Sequence, residues 1–333
     1  MKNVFLLLGV TLATPLYAAD VSTYIVNGDD VSVSSYPSFS SLYFDDDAYY
    51  GYRCGATVIN AEYVLTAAHC VYGAESEMLH YWVVPQLQDT ADYLSTSNKY
   101  RVKEYYYPDT YVDSAPWPDD IAILKLESTI SGNPDYSALL NSIANDTYVE
   151  SKSSDNFIAI GHGLIEGNQS SSGYLQATSL DIISPSSTCD SSISDKQLCF
   201  DGEVSGNYKN STCEGDSGGP VFWYNGAAYV QIGITSWGFK TCGAKAYDYS
   251  SVFTEVYDYD SWIQSVISGG ETAKYYVTTS NGTRTLYQTS SGTVIDSADV
   301  VSDTTTTSSS GGGGSLGFFS LLALVLFGKR RHA

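Results

Sequence analysis

Three side chains of this 333-residue chain have the types and neighbours that nucleophilic chemistry needs. Ser217 sits in Glu214-Gly215-Asp216-Ser217-Gly218-Gly219-Pro220, a serine between an acid and two glycines. His69 sits in Thr66-Ala67-Ala68-His69-Cys70, and Asp120 opens the apolar run Asp120-Ile121-Ala122-Ile123-Leu124. A serine hydroxyl is a weak nucleophile at neutral pH. It needs a base to take its proton, a carboxylate to orient that base, and donors for the oxyanion that forms. The chain offers a candidate for each, in the order His, Asp, Ser. Asp119 adjoins Asp120, but the apolar run that follows fits Asp120 better and leaves Asp119 as a solvated neighbour.

Strands are the elements that must position these groups. From about Ile25 to Val256 the chain alternates short apolar runs with Gly, Asn, Asp and Ser. Ala56–Ile59, Tyr63–Thr66, Tyr81–Val84, Ile121–Leu126, Phe157–Ile160, Pro220–Trp223, Val230–Thr235 and Val252–Val256 are examples. Many short strands split by turn signals predict a β-barrel or sandwich. The 29 tyrosines, with many Val, Ile and Thr, agree with that reading. Over Tyr259–Ile267, Trp262, Ile263, Val266 and Ile267 fall at helical spacing, which predicts a closing helix. After Gly269, Lys274–Thr279 and Thr283–Gln288 flank Asn281-Gly282, a hairpin turn signal. Thr304–Gly314 is Ser, Thr and Gly, and reads as a flexible spacer.

Charge and termini set the context. The formal net charge is −21, with sixteen Lys and Arg against thirty-seven Asp and Glu, so nucleic acid and anionic lipid are repelled. Residues 1–19 read as a secretory signal: Lys2, an apolar run from Val4 to Leu12, then small residues ending at Ala19. Export implies an oxidising compartment, so the six cysteines should form three disulfides, with fifteen pairings open to spacing alone. No C-x-x-C or H-x-x-x-H pair favours zinc, and no metal or cofactor is expected. At the other end Gly311–Gly314 precede the apolar segment 316–327 and Lys329-Arg330-Arg331. The apolar segment is short for a membrane span, which takes about 20 residues. This end resembles the GlyGly-CTERM sorting tail of Gram-negative bacterial exported proteins. That resemblance implies cleavage by a rhomboid-type sorting protease, after passage through the export machinery, and a product on the cell surface or released. A permanent C-terminal anchor is the alternative.

Ile25-Val26-Asn27-Gly28, Cys54 through His69-Cys70, Asp120-Ile121-Ala122, Gly215 to Pro220, Ser236-Trp237-Gly238 and Ser261-Trp262-Ile263 together resemble the chymotrypsin/trypsin family of serine proteases. The resemblance spans about residues 25–268, with all motifs in order. It implies an all-β fold of two antiparallel six-stranded barrels, roughly Ile25–Ile130 and Ser131–Val256, with a C-terminal helix. The implied domain order is a signal peptide (1–19), a short propeptide (20–24), the protease domain (25–268), a β-hairpin and Ser/Thr/Gly-rich linker (269–310), and the sorting tail (311–333).

By the same resemblance Ser217 attacks the scissile carbonyl, His69 is the base and Asp120 orients it. Gly215 and Ser217 N–H groups form the oxyanion hole, and Ser236 supports Asp120. Cys54–Cys70, Cys189–Cys199 and Cys213–Cys242 are the implied disulfides. Cutting before Ile25, by another protease or by the enzyme itself, would free an α-amino group that pairs with Asp216. Tyr24 precedes that cut, where trypsin-activated precursors carry Arg or Lys. His162 stands where the family usually has tryptophan, a departure expected to affect local packing. Ser211 occupies the base of the substrate pocket, where a trypsin-like enzyme has aspartate, and Trp237 and Gly238 form one wall. Ser251 occupies the place of a glycine on the opposite wall and narrows the pocket. The protein and peptide substrates are therefore expected to be cut after Tyr, Phe, Leu or Met. Elastase-like cutting after small residues is the alternative, as is a trypsin-like preference restored by Asp248 on a lengthened loop. A catalytically inactive surface binding protein is the alternative from another class; such relatives usually lose one of the three groups, and this chain keeps all three.

Overall fold

In the computed structural model the described residues are 25–132, 148, 156–165 and 173–299. The expected signal peptide, propeptide and sorting tail lie outside them. A short edge strand β1 (Asp29–Asp30) precedes six strands built from the apolar runs. These are β2 (Phe39–Asp45), β3 (Tyr50–Val58), β4 (Tyr63–Thr66), β5 (Tyr81–Pro85), β6 (Tyr100–Tyr106) and β7 (Ala122–Leu126). They pair antiparallel in the order β6-β5-β2-β3-β4-β7, and β7 pairs back onto β6, so the sheet closes into a barrel. Leu42, Val64, Leu65, Val83, Val102, Ile123 and Leu124 fill its interior with no exposed surface. Truncating one such leucine to alanine costs about 2–5 kcal/mol, the lost transfer energy plus a cavity.

The second half contains β8 (Phe157–Gly161), β9 (Gln176–Ser179), β10 (Asp181–Ile183), β11 (Gln197–Asp201), the short pair β12 (Val204–Ser205) and β13 (Tyr208–Lys209), β14 (Pro220–Tyr224), β15 (Tyr229–Gly238) and β16 (Ser251–Glu255). The sheet order is β1-β9-β8-β14-β15-β16-β11-β10. Only Leu180 separates β9 from β10, so β9, next to the short edge strand β1, and β10, at the opposite end of the sheet, are halves of one bent strand. One half pairs with β8 and the other with β11. Six strands thus curl about Phe157, Leu180, Phe200, Val221, Ile232 and Phe253. The fold is all-β and chymotrypsin-like, as expected.

Helix α1 (Asp260–Ile267) follows. Ile263 and Val266 are buried in the first barrel's core, and Trp262 and Ile267 pack at its margin. Gly269 ends the helix at φ +79°, where its N–H reaches Val266 O and that of Gly270 reaches Ser265 O. This crossed pair satisfies carbonyls the last turn leaves open, and the left-handed residue costs glycine least.

The chain then returns to the first barrel. Strands β17 (Tyr275–Ser280), β18 (Thr283–Gln288) and β19 (Thr293–Asp299) form an antiparallel meander, with Asn281 and Gly282 both at positive φ in the first turn. β17 pairs with the C-terminal half of β6, Tyr275 opposite Tyr105 and Tyr276 opposite Glu104. Val277 and Leu286 join the first barrel's core. Arg284 is 2% exposed; its guanidinium donates to Leu79 O (2.5 Å) and Val102 O (2.8 Å) and lies 3.5 Å from Glu127. The hairpin read from sequence is therefore two-thirds of a three-stranded unit. Its third strand falls where a linker was expected.

Candidate active site

His69 lies in the single helical turn Ala68–Cys70 just after β4, and Asp120 immediately precedes Ile121 and β7. β4 and β7 are neighbours, with Thr66 opposite Ala122, so the two side chains meet. His69 Nδ1 is 2.8 Å from Asp120 Oδ2, and the His69 backbone N–H donates to Asp120 Oδ1 at 2.9 Å. Asp120 is fully buried. Ser236 Oγ, from β15 in the other barrel, donates to Oδ2 at 2.5 Å, and Thr254 Oγ1 donates to the Asp120 carbonyl at 2.8 Å. Burial alone pulls the imidazole's pKa down, but the hydrogen bond and charge of Asp120, with help from Asp113, leave it above 6.5. An imidazole fixed this way presents its other nitrogen outward as a proton acceptor.

Asp119 is no solvated neighbour. It accepts hydrogen bonds from Tyr259 Oη at 2.5 Å and Lys196 Nζ at 3.2 Å. Burial raises its pKa, but these bonds and one from Thr110 outweigh it and leave the carboxyl below 3.8. Asp119 ties the β7 entry to the turn that leads into α1 and to the second barrel.

Ser217 precedes β14 and shares a cleft with His69, Gly215 and Glu214. The loop is held through backbone: Gly55 N–H donates to Ser217 O at 2.7 Å, and Gly218 N–H to Thr235 O at 2.8 Å. Gly215 has φ +100°, and a Cβ there would stand 2.9 Å from Gly163 Cα. Only glycine takes both the angle and the contact without strain. Among the described residues no protein acceptor takes the Gly215 or Ser217 N–H, so both are available to an anion.

Asp216 is wholly buried beneath this loop, accepting from Gly163 N–H (2.9 Å) and Cys213 N–H (2.8 Å). Burial drives its carboxyl up to about 7, against the lowering effect of those two donors. A Cβ on Gly161 would lie 2.1 Å from Asp216 Oδ1, and one on Gly163 2.6 Å from the same carboxylate. The two glycines around His162 are thus required by Asp216. His162 is buried against Phe39 and Tyr52, and burial pushes it down to about 4. Ile25 and Val26 are fully buried, and Val26 N–H donates to Ser211 O at 3.1 Å.

A second cavity, of about 320 Å³, opens beside Ser217, lined by Ser236, Trp237 and Gly238 among others. Ser211 and Ser251 stand behind it and do not line it. Ser211 Oγ donates to Thr212 O at 2.7 Å, and Ser251 Oγ accepts from Thr212 N (3.0 Å) and Thr212 Oγ1 (2.9 Å). The two serine hydroxyls are 3.3 Å apart. Thr212, which does line the cavity, is therefore held from behind by a satisfied hydroxyl network. Asp248 is exposed and absent from the lining. Cys54–Cys70, Cys189–Cys199 and Cys213–Cys242 are bonded, the first bracing the His69 turn and the third tying the serine loop to the cavity wall. Cys54, Cys70 and His69 are close enough to suggest a metal, but both sulfurs are used in the disulfide.

The sequence model of the Trypsin family matches residues 25–263. The chain belongs to the trypsin family and is a serine endopeptidase. Snake venom serine protease Haly-2 of Gloydius brevicauda is 29% identical over 265 residues, covering 77% of this chain and 92% of the relative. The fibrinogenase stejnefibrase-1 of Trimeresurus stejnegeri is 28% identical over 279 residues, with the same coverage. Serine protease grass of Drosophila melanogaster is 25% identical over 268 residues, covering 74% and 69%.

Sequence reasoning missed several residues of this trypsin-family site. Phe239 and Lys240 line the cavity beside Gly238, and Phe239 stacks on Tyr247 at 3.6 Å between centroids. Their position directly after Ser236-Trp237-Gly238 was the available signal. Thr254 and Asp113 act on Asp120 and His69 from positions that no motif marks. Among the described residues no helix is long and apolar enough to cross a membrane.

Proposed function

We propose that this protease cuts polypeptides through an acyl-enzyme formed on Ser217. His69 takes the Ser217 proton as the Oγ attacks the scissile carbonyl, then gives it to the leaving amine. Asp120 holds the imidazole in the productive tautomer and stabilises its cation. Gly215 and Ser217 N–H groups receive the oxyanion. The hydrogen-bonded series Ser236–Asp120–His69, ending in the cleft that holds Ser217, is the observation that carries this assignment.

The chain is made as a precursor cut before Ile25. Support comes from Asp216, a buried carboxylate with two neutral donors and a raised pKa, beneath the loop that must form the oxyanion hole. In the intact chain the Ile25 nitrogen is an amide; cutting makes it an ammonium. A buried ion pair must be complete to be tolerated, so the new charge would hold the loop in place. Side-chain preference is for Tyr, Phe, Leu or Met, because Trp237 and Phe239 offer apolar walls and the one carboxylate of the lining, Glu214, is solvent-exposed. The hydroxyl network of Ser211, Thr212 and Ser251 favours smaller aliphatic residues as the second reading. The protein works outside the cell, consistent with its three disulfides and its venom relatives; surface sorting through the C-terminal tail belongs to the same proposal.

The test is labelling with a fluorophosphonate, followed by cleavage of a mixed peptide library. An adduct on Ser217 with cuts after aromatic or leucyl residues is expected. Cuts after Arg or Lys would overturn the pocket reading. A folded protein, cut at Tyr24, that takes no label would overturn the catalytic one.

A further inference from the structure

One wall of the cavity beside Ser217 comes from a loop. Phe239, which lines the cavity, begins the segment 239–250 that joins β15 to β16. Phe239 is partly exposed, and Tyr247 of the same segment covers its ring, stacked at 3.6 Å between centroids with 2° between planes. Tyr249 packs against Phe239 at 4.7 Å and meets Trp237 edge-on at 6.1 Å. Tyr247 is itself 41% exposed, so burial does not fix its place. The position of the Phe239 wall therefore depends on what tethers the Tyr247 backbone.

The tether is Lys209, in β13. Its Nζ donates to Tyr247 O at 2.8 Å and to both carboxylate oxygens of Asp201, at 2.9 and 2.8 Å. An ammonium has three N–H donors, so all three are used. The Lys209 side chain is 11% exposed, against 26–49% for the other lysines in ion pairs among the described residues. A charge buried this far is tolerated only with its partners in place. Asp201 ends β11, an inner strand of the second sheet, so the ammonium ties the outer loop to a rigid element.

The near part of the loop has other holds. Cys242 is bonded to Cys213, Lys209 N–H donates to Gly243 O at 2.7 Å, and Tyr208 bridges to Ala244. The far part, where Tyr247 sits, is what the Lys209 ammonium reaches. A large side chain entering the cavity meets Phe239, whereas a methyl group does not extend that far. Loosening the Phe239 wall should therefore weaken the hold on large side chains and spare small ones.

We propose that Lys209 is a positioning residue for side-chain selection: through Tyr247 it fixes the Phe239 wall, and so sets how well a large side chain is held for cleavage. Lys209 lines neither the cavity nor the cleft that holds His69. The proposal rests on the reading of this cavity as the place that receives the side chain of the cut residue.

The test uses the full chain processed before Ile25 and two peptides alike except for Tyr or Ala at the cut residue. In Lys209→Met the ratio of kcat/KM for Tyr over Ala should fall about five- to tenfold, while a small fluorophosphonate labels Ser217 within about twofold of the unaltered rate. Tyr247→Leu removes the ring that covers Phe239, leaves the ion pair in place, and should lower the ratio to a similar degree. The double variant should lose little more than the poorer single one, because both changes act on one wall. Asp201→Asn keeps the shape and removes the charge, and should lower the ratio about threefold even where Lys209→Met does not fold. A ratio that survives Asp201→Asn or Tyr247→Leu, losses that add in the double variant, or equal falls for Tyr and Ala with slower labelling overturn the proposal. An unaltered enzyme that takes no label would instead overturn the endopeptidase assignment, and a labelled one that cuts only after Arg or Lys would overturn the cavity reading and this proposal with it.

Discussion

The buried carboxyl of Asp216 makes the intact chain's stability depend on pH in a direction opposite to that of most carboxylates. Its pKa is pushed from 3.8 up to about 7 by burial. The folded intact chain therefore holds this proton more tightly than the unfolded one. The penalty begins as pH rises past 3.8, grows up to about 7, and is constant above that. At about 1.4 kcal/mol per pH unit the full penalty is roughly 4 kcal/mol. About 3 kcal/mol of it develops between pH 5 and pH 8, worth a fall of roughly 6–10 °C in Tm for a domain of this size. The assay is urea and thermal unfolding of the intact chain carrying Ser217→Ala, which cannot cut itself. His69, with its raised pKa, also favours the acid side. The comparison is therefore with Ser217→Ala plus Asp216→Asn, in which the histidine contribution persists and the Asp216 slope is gone. Equal pH slopes in the two proteins would refute the argument. After cutting before Ile25, the new ammonium should lower the Asp216 pKa and remove most of the slope.

Further outcomes follow from other parts of the structure. The acid limb of kcat/KM against pH should fall above 6.5, because His69 as the proposed base must be neutral and its pKa is raised; a limb below 6 would contradict the Asp120 geometry. Leu286→Ala should cost about 2–5 kcal/mol in urea unfolding, because Leu286 is fully buried in the first barrel's core; a change under 1 kcal/mol would mean the meander is dispensable. Ser251→Gly should raise the preference for Tyr over Ala at the cut residue roughly tenfold, by freeing Thr212 of the lining from the hydroxyl that holds it. Comparing kcat/KM for two matched peptides checks this, and an unchanged ratio would place the size limit elsewhere.

Local signals made much of this legible. Ala67-Ala68-His69-Cys70 and the run after Asp120 mark neighbouring strands, and the pairing of β4 with β7 does the rest. Asn281-Gly282 carries its own turn chemistry. What stayed hidden depends on partners distant in sequence or on backbone alone. Asp119 is fixed by Lys196 and Tyr259, 77 and 140 residues away, so nothing beside it marks the ion pair. Ser211 and Ser251 are 40 residues apart, and each looks like an ordinary polar residue until the fold joins their hydroxyls. β19 is an exposed edge strand held by its pairing with β18. With little to bury, Thr293–Asp299 has no reason to show a hydrophobic alternation.

The two barrels also divide the proposed catalytic task unequally. His69 and Asp120 stand beside interior strands of the first barrel, braced by the Cys54–Cys70 disulfide and by contacts from Ser236 and Thr254. Nothing in that arrangement depends on a charge at Ile25. The serine loop is different: it bends at Gly215, lies over Asp216, and leaves its two proposed oxyanion donors unclaimed among the described residues. An unpaired carboxylate below that bend is the weak support in an otherwise rigid site. Cutting before Ile25 should therefore leave the His69–Asp120 pair as it is and act on the Gly215 and Ser217 donors. Activation would then appear in kcat and in the binding of anionic transition-state mimics, while the acid limb set by His69 stays where it was in the residual activity of the precursor.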